Sequence, residues 1–354
     1  APADPRYSEA DPLDLIHHLQ TGRNVIGATV LYFGLGDGTW PTGKPGFIFY
    51  LDIEYTNGKK QQVLSDESWQ VKLALSWRPG QYKRWYLRAL QEEFDARLYP
   101  DGWTSSHYLP DTDWIQPEIL KGSSSKPALN TNSADYLNNS SGDGGSTELR
   151  KRSIPLLVEE NIAVSEMVES FQVNWKRPVE EYFEMITPAT YTVTQGEIAE
   201  SVGTGQWGVV LSSWKGTGAV LLFTFQEQMV GWPYFSVDAP EGTIVELMVQ
   251  EGHTPLKDGG VPLMNNHFNS WTRFICKQGT NRLETFDFES VKWLQLHIHN
   301  ASEMVTIKDV GVRRRYYSWP HQPSFKCSPP PGRPSPPGTD TASEWDRRTR
   351  CPPP

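Results

Sequence analysis

The second half of the chain consists of short apolar runs separated by turn residues, a pattern that leaves little room for helices. Between residues 190 and 317, runs rich in β-branched and aromatic residues follow one another at close spacing, among them GAVLLFTF, TIVELMVQ and VKWLQLHI. Glycine, proline, asparagine and aspartate separate them. Such spacing is typical of antiparallel sandwiches and argues against βαβ units. We therefore predict an all-β fold.

The first half shows the same pattern between Asn24 and Val71, where FIFYLDIEY and QQVL flank the sequence Thr56-Asn57-Gly58-Lys59. Asn-Gly between two apolar runs predicts a β-hairpin with a type I′ turn, in which both central residues take positive φ. Two stretches, 12–19 and 157–168, have compositions compatible with short helices.

Changes in composition divide the chain of 354 residues into four parts. Residues 1–120 and 151–319 are predicted to form two antiparallel β-sandwich modules of the jelly-roll or concanavalin-like type, called here the first and second modules. Residues 121–150, rich in Ser, Asn and Gly, are predicted to be a flexible linker or loop, because they offer little apolar surface to bury. The proline-rich tail, residues 320–354, is predicted to be disordered.

Charge and hydropathy narrow the choice of partners. The chain has 33 Lys and Arg against 42 Asp and Glu, a formal net charge of -9, which repels both a phosphate backbone and an anionic bilayer. Its apolar runs are far shorter than the roughly 20 residues that span a bilayer. We expect neither nucleic acid nor membrane as a partner.

The cellular compartment stays open. Cys276, Cys327 and Cys351 show no CxxC spacing and predict neither a disulfide framework nor a zinc site. The first residues, APADPRYSEADP, lack the basic and apolar regions of a signal peptide. Extracellular and cytoplasmic locations therefore both remain open.

Carboxylates are the first candidates for catalysis, since cleavage of a glycosidic bond generally requires two. Glu92, Glu93 and Asp95 form one cluster, and Glu227 and Glu251 lie in the second half. Acidic residues at strand ends and turns are more often simply solvated. No catalytic residue is assigned.

Two histidines, His297 and His299, stand at alternate positions of LQLHIHN and face the same side of a strand, a spacing that can bind metal. No third ligand is close in sequence, although His253 and His267 could approach in space. Strand histidines that face solvent or form hydrogen bonds are the more common situation, and we assign no metal ligand and no cofactor.

Aromatic residues are abundant, with 14 each of Trp, Tyr and Phe. Aromatic rings stack on the apolar faces of sugars, but they equally fill sandwich cores, so both roles stay open. The residues concerned are Trp40, Trp69, Trp77, Trp85, Trp103 and Trp114 in the first half, and Trp207, Trp214, Trp232, Tyr234, Trp271 and Trp293 in the second.

Two stretches resemble the N-terminal β-sandwich modules of α-L-rhamnosidases, inverting glycoside hydrolases that remove terminal rhamnose. The first is DLIHHLQTGRNVIGATVLYFGLGDGTW, followed by LDIEYTNGKK, SDESWQV and EEFDARLYPDGW. The second is LLFTFQEQMVGWPYFSVDAPEGTIVELMVQEGHTPLKDGG, followed by FDFESVKWLQLHI. Together these motifs extend over residues 14–317. Family members usually begin the first sandwich with strands ahead of the region matched by Asp14, so the resemblance implies that the first module, residues 1–120, is a truncated N-terminal module.

The resemblance implies an accessory role. In this family the general acid and base lie in an (α/α)₆ barrel that follows the sandwich modules, whereas here Tyr317 leads into the proline-rich tail. We therefore expect the chain to be a non-catalytic, carbohydrate-associated part of a rhamnosidase-like hydrolase acting on rhamnose-containing plant glycosides or polysaccharides. By itself it should be inactive. A rival interpretation is that the chain is a fragment of a longer gene product that carries the activity, and whether such a product includes the barrel is left open. The alternative is a free-standing carbohydrate-binding or interaction protein, and sugar specificity is left open.

The candidate ligand surface lies on the second module. It combines the aromatic residues Trp232, Tyr234 and Trp271 with Asn266 and His267, whose polar groups can bind sugar hydroxyls. In the resembled enzymes the corresponding module packs near the barrel. The same surface could therefore be an interdomain contact that, left exposed, promotes self-association.

Overall fold

The computed structural model describes residues 8–31, 46–78, 90–119, 149–152, 154–179, 190–251 and 271–318. The regular elements in these ranges are strands, together with a 3-10 helix at Ala96–Leu98. The strands are, in chain order, β1 (Ser8–Ala10), β2 (Tyr50–Glu54), β3 (Lys60–Leu64), β4 (Leu90–Asp95), β5 (Leu149–Lys151), β6 (Val158–Ala163), β7 (Glu166–Trp175), β8 (Tyr191–Gly196), β9 (Ala199–Gly203), β10 (Gln206–Val209), β11 (Thr217–Ala239), β12 (Ile244–Gln250), β13 (Trp271–Ile275), β14 (Gly279–Glu284), β15 (Glu289–His299) and β16 (Val305–Tyr316). The predicted all-β fold is confirmed.

The sandwich is organised around β11, a strand of 23 residues that belongs to two sets of strands. Its first part, from Thr217 to Thr224, pairs antiparallel with β7 and β15. Its last part, up to Ala239, pairs with β14 and β16. The register with β15 shifts between Thr224 and Met229. The strand thus carries the chain from one layer of the sandwich to the other, as corner strands do.

The first layer has the strand order β4-β13-β12-β15-β11, with β7 and β8 continuing beyond β11. The second layer contains β14, the last part of β11, and β16, to which β6 and β10 also pair. All pairs in the two layers are antiparallel except β4 with β13. This parallel pair joins Leu90–Asp95, from the predicted first module, to β13 at the edge of the first layer.

The main core lies between the two layers. Leu294 and Leu296 of β15 and Val305 and Ile307 of β16 belong to one buried cluster. Because side chains alternate across a strand, the alternate residues of β15, such as Gln295 and His297, face the outer side of the first layer. That outer face carries a smaller buried cluster, consisting of Val173, Tyr191, Val220, Met248 and Trp271.

The predicted hairpin is confirmed, but its predicted turn type is wrong. Strands β2 and β3 pair antiparallel, and the loop closes with bonds from Tyr55 N to Lys59 O and from Gly58 N to Tyr55 O, at 2.8 and 2.9 Å. Gly58 has φ +81°, whereas Asn57 is not among the residues with positive φ. This is a three-residue loop with a left-handed glycine. Asn57 Oδ1 accepts a hydrogen bond from Lys59 N, which stabilises the loop without a positive φ.

The helix considered for residues 157–168 is also wrong. These residues form β6 and the start of β7. Strand β6 pairs with β16 and β7 pairs with β11, so the bonds between strands replace those of a helix. Residues 12–19 form a turn at Ile16–His18.

Residues 121–148 of the predicted linker and the whole predicted tail, residues 320–354, lie outside the described residues. Where the predicted linker ends, β5 pairs in parallel with β1. The module boundaries stay predictions. The described part of the chain contains no helix with the length and apolar character needed to cross a bilayer.

Candidate functional site

Glu92 and Asp95, on β4, are engaged in structural bonds. Glu92 Oε1 accepts a hydrogen bond from Trp77 Nε1 at 2.7 Å, and its Oε2 accepts one from the backbone N of Phe286 at 2.8 Å. Asp95 caps the short 3-10 helix through Arg97 N and forms an ion pair with the Arg97 guanidinium. Of these contacts, the bond to Phe286 N ties β4 to the predicted second module.

A row of polar residues crosses the outer face of the first layer. Glu93, Arg273, Glu246 and His297 stand opposite one another in the registers of β4, β13, β12 and β15. Arg273 Nη1 lies 3.0 Å from Glu93 Oε2, and Arg273 Nε lies 3.1 Å from Glu246 Oε1. Arg273 Nη2 donates to Val179 O at 2.8 Å. The guanidinium therefore bridges both carboxylates.

The two predicted histidines lie on one face of β15, as the alternation indicated, and both are buried. His297 Nε2 lies 3.1 Å from Gln295 Oε1, and His299 Nε2 lies 3.2 Å from Glu246 Oε2. Burial lowers the pKa of His297 to about 3, so its ring is neutral at pH 7. Burial by itself raises the pKa of Glu246, but the interactions with His299 and Arg273 outweigh it and hold that pKa below its ordinary value.

Glu246 is the residue that reasoning from the sequence missed in this cluster. His253 and His267, the third ligands considered for the histidine pair, lie outside the described residues. Glu246 is more than 50 positions away from both histidines in sequence and meets them through strand pairing. Its signal was a single carboxylate within the otherwise apolar strand TIVELMV.

A cleft of about 2100 Å³ is lined by residues of the predicted first module, including β4, and by the segment at Phe286. Its lining includes Trp69, Trp77, Trp103 and Trp114, all partly buried. Trp103 and Trp114 are stacked with ring centroids 6.1 Å apart. Polar side chains that line the same cleft are Gln20, Asn24, Gln61, Gln70, Lys72, Gln91 and Asp113. The combination of aromatic rings with amide and charged groups is the composition that sugar binding requires.

Trp232 and Tyr234 lie on β11 and are partly buried. The Arg313 and Arg315 guanidinium carbons lie over the Trp232 ring, 4.5 and 4.3 Å from its centroid. Trp232 Nε1 donates to Phe286 O at 3.3 Å. A sugar that stacks on this indole must compete with the two guanidinium groups.

The other residues of the predicted ligand surface do not join Trp232. Trp271 is 2% exposed and belongs to the smaller cluster on the outer face of the first layer. Asn266 and His267 lie outside the described residues. Of the remaining carboxylates, Glu227 forms an ion pair with Arg314 at 2.5 Å, and Glu251 is exposed.

The comparisons with known proteins agree with the resemblance seen in the motifs. The family described as the α-L-rhamnosidase N-terminal domain matches residues 6–134. A search of curated proteins found no match. Among solved structures, a GH78 family rhamnosidase of Bacillus sp. GL1 is similar, with a TM-score of 0.60 and 13% sequence identity over 92% of this chain and 50% of that one. At this identity the similarity concerns the fold.

An α-L-rhamnosidase from Dictyoglumus thermophilum also matches, with 13% identity over 77% of this chain and 22% of that one, but its TM-score of 0.41 is too low to support an argument. The chain spans half the length of the Bacillus rhamnosidase structure. The resemblance inferred from the motifs is thus confirmed: the chain carries a segment that matches the N-terminal domain of α-L-rhamnosidases.

Proposed function

We propose that the chain is the non-catalytic, carbohydrate-associated part of a rhamnosidase-like glycoside hydrolase acting on rhamnose-containing plant glycosides or polysaccharides. The observation that carries this proposal is that the Glu92 and Glu93 carboxylates on β4 are both bound to other groups of the protein. Glu92 binds Trp77 and the backbone of Phe286, and Glu93 binds Arg273. Carboxylates held in this way connect the two modules and are poorly suited to exchange protons with a substrate.

The cleft is the proposed site of contact with carbohydrate. At about 2100 Å³ it is larger than the roughly 300–1,000 Å³ of pockets for drug-sized ligands, so it has room for several sugar rings. Trp69, Trp103 and Trp114 supply aromatic surface, and Gln70 and Asp113 are among the groups that can bind hydroxyls. The deoxy sugar rhamnose has a methyl group that favours such apolar walls.

The surface at Trp232 and Tyr234 is proposed as a contact with another domain. Arg313 and Arg315 already cover part of the indole. Val230, two residues before Trp232 on β11, is 47% exposed, and Phe288, whose ring packs against Trp232, is 51% exposed. An apolar surface of this kind favours association when its partner is missing.

The catalytic part of the proposal is tested by incubating the chain with an aryl α-L-rhamnoside. We expect hydrolysis at the uncatalysed rate. Turnover well above background that disappears in Glu92→Gln or Glu93→Gln, with the variants still folded by circular dichroism, would show that the chain is itself a hydrolase.

The binding part is tested by titrating rhamnose-containing oligosaccharides while following tryptophan fluorescence, with the oligomeric state measured in parallel. We expect saturable quenching that Trp103→Phe weakens about tenfold and Trp232→Ala leaves unchanged. Trp232→Ala should instead reduce self-association. Quenching that is lost in Trp232→Ala and kept in Trp103→Phe would move the sugar site to the second module.

A further inference from the structure

We propose that Glu246, His297 and His299 bind one divalent metal ion of the zinc class. One nitrogen or oxygen from each of the three side chains lies within 4.8 Å of the others, and all three residues are buried. The strand register produces this arrangement, since Glu246 stands opposite His297, and Ile244, two residues earlier, stands opposite His299. The two imidazoles therefore flank the carboxylate.

The chemical type of the three ligand atoms determines which metal ions fit the site. Two imidazole nitrogens and one carboxylate oxygen suit zinc and its neighbours cobalt and nickel, whereas calcium and magnesium prefer oxygen ligands. In a tetrahedral site with bonds of about 2.0–2.1 Å, ligand atoms lie about 3.3 Å apart. The distance of 3.2 Å between Glu246 Oε2 and His299 Nε2 matches this spacing. Since no two of the three ligand atoms are more than 4.8 Å apart, a side-chain rotation that moves the His297 nitrogen inward by at most about 1.5 Å closes the site.

An independent observation also points to a ligand. His297 Nδ1 is buried and has no hydrogen-bond partner among the described residues. The hydroxyl of Tyr191, whose ring lies edge-on to His297, is buried without a partner as well. Buried polar atoms are usually satisfied, and leaving one without a partner destabilises the fold. A metal ion bound by His297 gives its buried ring a partner and so removes this destabilisation.

Arg273 positions the carboxylate for this role. Its Nε and Nη2 both donate to Glu246 Oε1, at 3.1 and 3.0 Å, which leaves Oε2 directed at His299. Glu93, on the other side of Arg273, supplies a second negative charge that offsets the guanidinium. Supporting contacts of this kind orient the ligands of metal sites.

Binding of the metal ion displaces the hydrogen that lies between His299 and Glu246. In the metal-free cluster, His299 Nε2 donates its hydrogen to Glu246 Oε2. The ion takes the place of this hydrogen, which leaves as a proton or moves to the other ring nitrogen. Trp175 covers the site, with its ring centroid 4.4 Å from that of His299. The ion would therefore be structural, linking β12 to β15.

The test uses the full chain, stripped of metal with a chelator and then titrated separately with ZnCl₂ and CoCl₂. We expect one tightly bound ion per chain by elemental analysis, visible absorption bands of tetrahedral Co²⁺, and a higher melting temperature with Zn²⁺. His299→Gln should weaken binding at least 100-fold. His107→Ala and the double variant H17A/H18A are the controls, because these three histidines are exposed, and they should bind as the unaltered chain does.

Equal metal binding by His299→Gln and the unaltered chain, or no binding by the unaltered chain, overturns the proposal. If His299→Gln fails to fold, X-ray absorption on the Zn²⁺-loaded unaltered chain decides the matter. Two imidazoles in the first coordination sphere support the site, and any other number of imidazoles refutes it.

Discussion

Arg273 and Glu246 form a buried ion pair between neighbouring strands, with side chains 3% and 1% exposed. The two residues stand opposite each other in the register of β12 and β13, and two nitrogens of the guanidinium contact the same carboxylate oxygen. The pair lies at the centre of the polar row that runs from Glu93 to His297. The stability of the outer face of the first layer should therefore depend on both partners together.

Removing one partner of this pair should be strongly destabilising. Arg273→Met leaves Glu246 buried without its guanidinium, and we expect a loss of about 3–5 kcal/mol in the free energy of unfolding, measured with urea. The double variant R273M/E246L should recover part of this loss, because the buried charge of Glu246 is then gone, while Glu93 keeps its contact with Arg78. Arg282→Met, on an exposed site of β14, is the control and should change stability by less than about 0.5 kcal/mol. A single Arg273→Met variant as stable as this control would contradict the prediction.

Gly218 permits the close approach of Trp175 to the first layer. A Cβ at this position would lie 2.6 Å from Ile298 O and 2.8 Å from Trp175 Nε1. We expect Gly218→Ala to destabilise the fold by about 1–3 kcal/mol in thermal or urea unfolding. At Gly196, on β8, a Cβ would meet no atom within 4 Å, so Gly196→Ala should be neutral or slightly stabilising. Equal effects of the two substitutions would show that the contacts at Gly218 relax freely.

Cys276 should be unreactive in the folded chain. Burial, with a smaller contribution from the charge of Asp95, raises the pKa of its thiol to about 12. The reactive thiolate is therefore scarce at pH 8. Treatment with iodoacetamide followed by peptide mapping should find Cys276 unlabelled in buffer and labelled in urea. Modification of Cys276 in buffer at the rate seen in urea would mean that β13 opens readily.

Acid should weaken the contact between β6 and β16. Hydrogen bonds from Arg315 and Arg313 hold the pKa of Glu159 below its ordinary value of 4.5. A depressed folded-state pKa contributes stability that is present above about pH 4.5 and is lost as the pH falls through the folded-state value. The side chain is 37% exposed, so we expect an effect of about 0.2–1 kcal/mol.

This acid dependence is measured by urea unfolding between pH 6 and pH 3. The unaltered chain should lose more stability over this range than Glu159→Gln, which cannot titrate at this position. Glu197→Gln, at a turn outside this contact, serves as the matched control and should follow the unaltered chain. If the stability of the unaltered chain and that of Glu159→Gln fall equally between pH 6 and pH 3, Glu159 is not the source of the acid dependence.

Some local features could be predicted because they depend on neighbouring residues. The alternation of LQLHIHN placed His297 and His299 on one face, and Asn57-Gly58 marked the hairpin. Other features depended on distant partners. Residues 157–168 pair with β16 and β11, and the bonds of those pairings outweigh a local tendency to helix. At the hairpin, the side-chain bond of Asn57 permitted a loop in which Gly58 takes positive φ and Asn57 does not.

The sequence by itself determined the class of fold, because the spacing of apolar runs and turn residues suits a sandwich, and it carried the motifs of the α-L-rhamnosidase N-terminal domain. The tertiary structure decided which polar residues meet. Glu246 lies beside His297 and His299 because β12 pairs with β15, and Glu93 reaches Arg273 because β4 joins the edge of the same layer. Strand order joins residues that are far apart in sequence, and local periodicity carries no information about that order.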